Sequence, residues 1–364
     1  MDLVPLIDRL GEPGTAVLGG AIVALVFGFL AQRSAFCTRS AVLDLTRGRD
    51  LRALATWIAG FAAALLSVQL LLLYGELDVV ETRFFSTAQS LSGALIGGAL
   101  FGLGMVLTRG CVSRLLVLAA SGNLRALYGS LIVGVVGLAT YSGVLVPLRD
   151  AIGGLWSTAQ VGGNDILAHA RLGRWAGVAL GIVLVLGALV LCVKVRLSPW
   201  RTLGGIGVGL TVAAGWWFTY TLSQQVFEPI QAESLSFIRP LATTGEIAIG
   251  SDTIAGLDQG VLLGVLAGAF LAAFLFREFR VVTFSEPGAP SILRYTIGAA
   301  LMGFGGILAV GCTIGAGFTG GSVLALSSII ALAAMMTSAA IADRVVDGRR
   351  ASAVSSKEVP SPAE

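Results

Sequence analysis

Residues 303–312 read GFGGILAVGC, and residues 102–111, placed 201 positions earlier, read GLGMVLTRGC. Five of these ten positions are identical: Gly102 with Gly303, Gly104 with Gly305, Leu107 with Leu308, Gly110 with Gly311 and Cys111 with Cys312. They contain the only Gly-Cys pairs among the 364 residues. Each pair closes an apolar run of helical length. After Cys111 a short apolar segment, Leu115–Ala120, leads to Ser121-Gly122-Asn123; after Cys312 come Gly315, Gly317, Gly320 and Gly321. An apolar helix broken at the same place in two distant segments reads as a duplicated unit with an interruption inside each copy.

Working outward, the chain is 55% hydrophobic and 12% charged, with 49 glycines. Soluble domains carry about a quarter charged residues, so this surface is suited to lipid rather than water. Nine apolar spans are expected at Thr15–Leu30, Ala53–Leu73, Leu91–Leu107, Ala126–Val146, Trp175–Val195, Leu203–Thr221, Ile254–Phe276, Ile292–Val310 and Ser322–Ala342. Each approaches the length of about 20 residues with which a helix crosses a bilayer. They lack the two-residue alternation of a membrane barrel strand. The expected class is an all-α polytopic membrane protein with about nine transmembrane helices plus short or re-entrant helices. Basic residues sit at helix ends, so the net charge of +3 implies no nucleic-acid partner.

Loop charges orient the spans. Arg33, Arg39, Arg47, Arg114, Arg125, Arg196, Arg201, Arg277, Arg280 and Arg344 fall in alternate connections, whereas Glu76, Asp78, Glu81, Glu228, Glu233 and Glu246 fall in the others. The basic set is expected in the cytoplasm, leaving the N-terminus outside and the C-terminus inside. The two Gly-Cys copies then enter from opposite sides, which predicts an inverted internal repeat. The expected organisation is one membrane domain over residues 1–350, with halves at about 14–147 and 201–343 and a linking helix at 175–195. The Ser- and Pro-containing stretch 351–364 reads as a disordered tail. Phe84, Phe85, Trp156 and Phe237 in the outer loops are expected at the headgroup level.

Irregular backbone at membrane depth is tolerated where protein buries it or a polar cavity meets it, and a helix start there presents unpaired amides to an anion. Gly110, Gly311 and Gly315 therefore mark either helix breaks or sites of close helix packing. Cys111 and Cys312 at these breaks, and Cys37 in the polar stretch Gln32–Ser40, are the candidate pathway thiols. Arg109, which appears deepest, and Arg33 are candidates for attracting an anion or gating; Arg39 and Arg114 read equally well as orientation anchors. Cys192, inside an unbroken apolar helix, reads as structural. His169 is the only histidine, so no metal site is expected. No Cys-X-X-Cys pair, phosphate loop or cofactor motif is present. An enzyme is accordingly disfavoured.

From about Gly19 to Asp343 the sequence resembles the YeeE/YedE family of sulfur-compound transport proteins. The resemblance is carried by Gly305–Gly320 (GGILAVGCTIGAGFTG), Arg109-Gly110-Cys111 and Arg33-Ser34-Ala35-Phe36-Cys37. It implies an inverted-repeat fold in the inner membrane, with opposing entrances and a narrow centre. It also implies that thiosulfate, or a closely related small anion, passes by transient hydrogen bonds from Cys37, Cys111 and Cys312. A small cytoplasmic SirA/TusA-like sulfur carrier is an implied partner, beside the surrounding membrane lipids. Ala316 stands where many relatives carry histidine, which leaves another sulfur or selenium species open as cargo. A membrane sulfur-transfer or thiol redox enzyme is the alternative class.

Overall fold

The computed structural model describes residues 2–48, 50–78, 80, 82–226, 230–251, 254–286 and 289–346; the stretch 351–364, expected to be a tail, lies outside them. The described residues form helices joined by short turns, and extended segments meet only in isolated bridges. The first part of the chain contains α1 (Val4–Arg33), α2 (Thr38–Arg47), α3 (Arg52–Tyr74), α4 (Arg83–Ser86), α5 (Leu91–Leu107), α6 (Val112–Ala120) and α7 (Leu124–Tyr141). Next come α8 (Val146–Gly153), a 3-10 turn (Thr158–Val161), α9 (Ile166–His169) and α10 (Arg174–Lys194). The remainder holds α11 (Pro199–Ser223), α12 (Ile238–Ala248), α13 (Leu257–Leu275), α14 (Ile292–Leu308), a π-helix (Thr313–Gly320) and α15 (Leu326–Val346).

Eight helical stretches of the described chain are long and apolar enough to cross a membrane. The protein is thus an all-α, multi-pass membrane protein. The sixth of the nine expected spans, which corresponds to α11, is not among these eight, although its 25 residues are ample for a crossing.

Local chemistry sets the helix ends. Ser90 caps α5 by accepting from the Gly93 amide at 2.8 Å while donating to the Gly153 carbonyl at 2.7 Å. Asn123 likewise accepts from Ala126 N at the start of α7, and Pro199 occupies the first turn of α11. Loss of such a cap costs about 0.5–2 kcal/mol. Ser90→Ala is therefore expected to lower the unfolding temperature of the detergent-solubilised protein, read by a thermal melt; an unchanged melt would remove the cap from the account.

Glycine contacts define how the helices run. Gly260, Gly264 and Gly268 of α13 face Val17, Ala21 and Leu25 of α1, so these two helices are parallel. A Cβ on Gly268 would fall 1.9 Å from the Leu25 carbonyl oxygen, a distance that admits no side chain. Gly205 and Gly209 of α11 meet Thr56 and Gly60 of α3, again parallel. Conversely, Gly97 meets Gly305 and Gly104 meets Gly298, which makes α5 and α14 antiparallel; Gly19 near Phe218 and Gly204 near Ser34 do the same for α1 and α11. Parallel pairs α5–α15 (Gly98 near Ala331, Gly102 near Met335) and α7–α14 (Gly129 near Tyr295, Gly303 near Val133) complete the interior. We call the end where α1 begins the N face and the end where α1 finishes the C face.

Several boundaries differ from expectation. α7 stops at Tyr141 and the chain restarts as α8 at Val146, whereas a single span to Val146 was expected. α15 begins at Leu326 rather than Ser322 because the π-helix and its exit turn occupy 313–325. Phe84 and Phe237 do not lie at a headgroup surface: they are 4% and 0% exposed. Phe237 packs on Phe27 with ring centroids 5.0 Å apart, and Phe84 packs on Trp216. The segment around Phe237 folds inward because α12 enters the bundle as α2 does.

Candidate functional site

Of the helices that close on a left-handed non-glycine residue, three lead to a cysteine. α1 closes at Ala35 (φ 52), α5 at Arg109 (φ 59) and α14 at Val310 (φ 59), each a non-glycine residue in the left-handed region. Two residues later the backbone is extended at Cys37, Cys111 and Cys312, and each cysteine is the N-cap of the next helical segment. The left-handed residue turns the chain out of the first helix; the cysteine then stands over the first turn of the second, where amides lack helical partners. At Cys312 the Gly315 amide reaches the sulfur at 3.5 Å. Phe237 is the N-cap of α12.

The turns bring the thiols inward. Cys37, Cys111 and Cys312 are 7%, 1% and 0% exposed, and all are free. The Cys37 and Cys111 thiols lie beside each other. Cys111 Sγ is 3.3 Å from Ser113 Oγ. Thr313 Oγ1, one residue beyond Cys312, lies beside Cys111 without meeting hydrogen-bond geometry to any described atom. Phe318 of the π-helix packs edge-on against Phe36, Trp57 and Phe61, walling the thiols with rings. Trp57 Nε1 donates to Thr38 Oγ1 at 3.1 Å, so the indole fixes the start of α2.

The candidate glycines are unequal. A Cβ on Gly311 would sit 2.5 Å from Ala316 N, and one on Gly315 would sit 2.6 Å from Ser236 Oγ. On Gly110 the nearest atom would be Leu115 Cδ2 at 3.6 Å, an ordinary contact. Cys192 is remote from the thiol cluster, packed among Ala55, Ala59, Ala62 and Ala188, with its sulfur 3.9 Å from the Ala55 carbonyl.

Two charged cavities flank these turns. At the C face a cavity of about 340 Å³ is lined by Gln32, Arg33, Ala35, Arg114, Arg201 and Glu278, among others. Arg33 pairs there with Glu278 at 3.1 Å and lies 4.3 Å from the Phe276 ring centroid. Arg114 lines the same space and acts electrostatically on Cys37. Arg109, expected to lie deep, is exposed. At the N face a cavity of about 590 Å³ includes Arg83, Gln89, Arg149, Arg239 and Val310 in its wall. Sequence reading missed Arg83 and Arg239. Arg83 lies far along the chain from its partner Glu233, and Arg239 joins Glu233 and Asp258 only through the fold of the loop and α12. Among the described residues no cluster of His, Cys, Asp or Glu is arranged to hold a metal.

Interrupted helices that carry polar and thiol groups into a membrane bundle, with a charged cavity at each face, define the protein as a transport protein. Residues 33–341 match the Sulf_transp family, described as sulphur transport, and the chain belongs to that family. It is 27% identical over 325 residues to the thiosulfate transporter TsuA of Escherichia coli (strain K12), covering 82% of this chain and 86% of that protein. It is 28% identical over 311 residues to the thiosulfate transporter TsuA of Spirochaeta thermophila, covering 81% and 88%. These relatives support placement as a multi-pass protein of the inner membrane and as a transporter rather than an enzyme.

Proposed function

We propose that this protein is a permease for thiosulfate or a closely related small sulfur-containing anion, which passes a narrow path beside Cys37, Cys111 and Cys312. The observation that carries this reading is the recurring turn that ends in a buried cysteine, with two of those thiols in contact and a threonine hydroxyl beside them. A neutral thiol is a weak donor. Several weak donors replace part of the anion's water shell yet let it leave, as conduction requires. The names of the TsuA relatives support thiosulfate as cargo.

The same reading takes the halves 14–147 and 201–343 as an inverted repeat around α10, supported by the antiparallel running of α1 with α11 and of α5 with α14. It puts the C face in the cytoplasm, supported by the arginines there: Arg33, Arg196, Arg201, Arg277 and Arg280. A small SirA/TusA-like carrier would receive sulfur at that face, where the Arg33–Arg114 cavity opens.

The test is uptake of labelled thiosulfate into proteoliposomes. The intact chain is expected to exceed empty vesicles clearly, and Cys192→Ala is expected to stay within about twofold of it, since a small buried apolar side chain replaces another there. No uptake by the intact chain under any imposed ion gradient would overturn the permease reading. The contact between Cys37 and Cys111 favours a second reading, thiol redox chemistry, which requires a disulfide or persulfide visible by mass spectrometry during turnover.

A further inference from the structure

The N-face cavity collects three arginines whose charges are compensated to different degrees. Arg239 is held by Glu233 through two nitrogens and by Asp258 at 2.8 Å through both Nε and a terminal nitrogen. Asp258 is in turn held by Thr243 Oγ1 at 3.1 Å. Arg149 meets Asp150 and the carbonyls of Thr140 and Tyr141. Arg83 donates to the Val310 carbonyl at 3.1 Å and stands 3.6 Å from Glu233, an ion-pair contact too long for a hydrogen bond. Glu233 is already engaged by Arg239. Arg83 therefore shares with Arg239 a carboxylate that Arg239 already grips and gives its hydrogen bond to a neutral carbonyl, while lining a cavity of about 590 Å³.

That acceptor is the left-handed residue of the turn that leads to Cys312. Val310 is β-branched with φ 59, a conformation such residues rarely hold without outside support. Gly311 and the fully buried Cys312 follow directly. At the matching turn around Arg109 the arrangement differs. There Arg294 donates to the Leu107 and Val106 carbonyls, within the last turn of α5.

We propose that the N-face cavity is a receiving site for a small divalent oxyanion with Arg83 as its working group, and that an anion there draws Arg83 off the Val310 carbonyl and releases the turn before Cys312. A guanidinium binds an oxyanion through charge-assisted, paired hydrogen bonds that surpass its single bond to a carbonyl. Cargo arrival and loosening of the turn are thereby one event. Without cargo the latch keeps Cys312 covered. This inference rests on the permease reading for its cargo, while the latch itself is a property of the turn.

The experiment compares the full-length protein with Arg83→Gln and Arg83→Lys, using two readouts. The first is the rate at which a small thiol reagent labels Cys312 in the absence of cargo, located by peptide mapping. Cys312 is 0% exposed, so labelling reports opening of the turn. Removing the latch in Arg83→Gln is expected to raise that rate by about fivefold or more, on the footing that local openings set the reactivity of buried groups. The second readout is the thiosulfate concentration giving half-maximal uptake. It is expected to rise about tenfold in Arg83→Gln and to return to within about threefold of wild type in Arg83→Lys, which keeps the charge but not the fork. Labelling at the wild-type rate in both variants would overturn the latch. An unchanged half-saturating concentration in Arg83→Gln would overturn the receiving site. If the intact chain itself took up no thiosulfate, the permease reading would fall while the labelling rates still decided the latch.

Discussion

Replacing Cys111 with alanine is expected to lower the initial rate of thiosulfate uptake by at least about tenfold, equivalent to roughly 1.4 kcal/mol of lost stabilisation along the path, with little change in folded yield. Cys111 is the common member of the thiol cluster. It contacts Cys37, lies 3.3 Å from Ser113 Oγ and neighbours Thr313 of the other break. Removing its sulfur takes away the group shared by the two interrupted segments. The structural cost is small by comparison: one buried atom goes, and neither the extended backbone of Cys111 nor the α6 start it caps uses the thiol as a cap hydrogen bond. The measurement is labelled-thiosulfate uptake at matched protein content, alongside a thermal melt. A melt lowered as much as the transport rate would reassign Cys111 to packing.

The second large effect is expected at Gly311. A methyl group there would meet Ala316 N at 2.5 Å and Gly315 C at 2.9 Å, both backbone atoms of the π-helix. Since neither can rotate away, Gly311→Ala displaces the segment that holds Cys312 and Thr313. Overpacking of this kind costs about 1–3 kcal/mol, and uptake is expected to fall more than the melt does, because the displaced residues belong to the proposed path. Gly110→Ala is the matched control. Its methyl group would meet Leu115 Cδ2 at 3.6 Å, so uptake and melting temperature are expected to stay near wild type. Equal losses in both variants would show that the two Gly-Cys pairs share one spatial requirement, contrary to this geometry.

That asymmetry also shows where sequence reading stops. Gly110 and Gly311 are identical in the alignment of the two copies, and pattern alone assigns them one role. The packing partner that separates them, Ala316 N, is set by the π-helix, for which apolar periodicity carries no signal. The left-handed residues Ala35, Arg109 and Val310 were equally silent, since glycine is the usual marker of that backbone and none of them is glycine. What was legible was legible for a physical reason. Runs such as Leu257–Leu275 and Arg174–Lys194 are too apolar for water, and the repeated Gly-Cys pairs marked two of the three breaks.

Phe237 illustrates the opposite failure. A lone aromatic residue in a polar loop reads as an interfacial anchor, yet α12 carries it inward to the place that Cys37 holds before α2. The Arg83–Glu233–Arg239–Asp258 network was hidden for a further reason: its members come from three separate places in the chain, Glu233 and Arg239 sharing one, and only the folded bundle joins their charges. Arg109 differs in another way, since sequence depth suggested a buried charge and the residue is exposed.

The central claim is that the path works by hydrogen bonds from neutral donors and not by sulfur redox chemistry. Serine keeps an O–H donor at the position of the thiol but cannot form a disulfide or a persulfide. The most direct measurement is therefore the initial rate of thiosulfate uptake by Cys111→Ser set against Cys111→Ala in the same vesicles. Uptake by the serine variant well above that of the alanine variant is the predicted result. Equal silence of the two, with a covalent sulfur adduct on Cys111 in the wild-type protein, would contradict it.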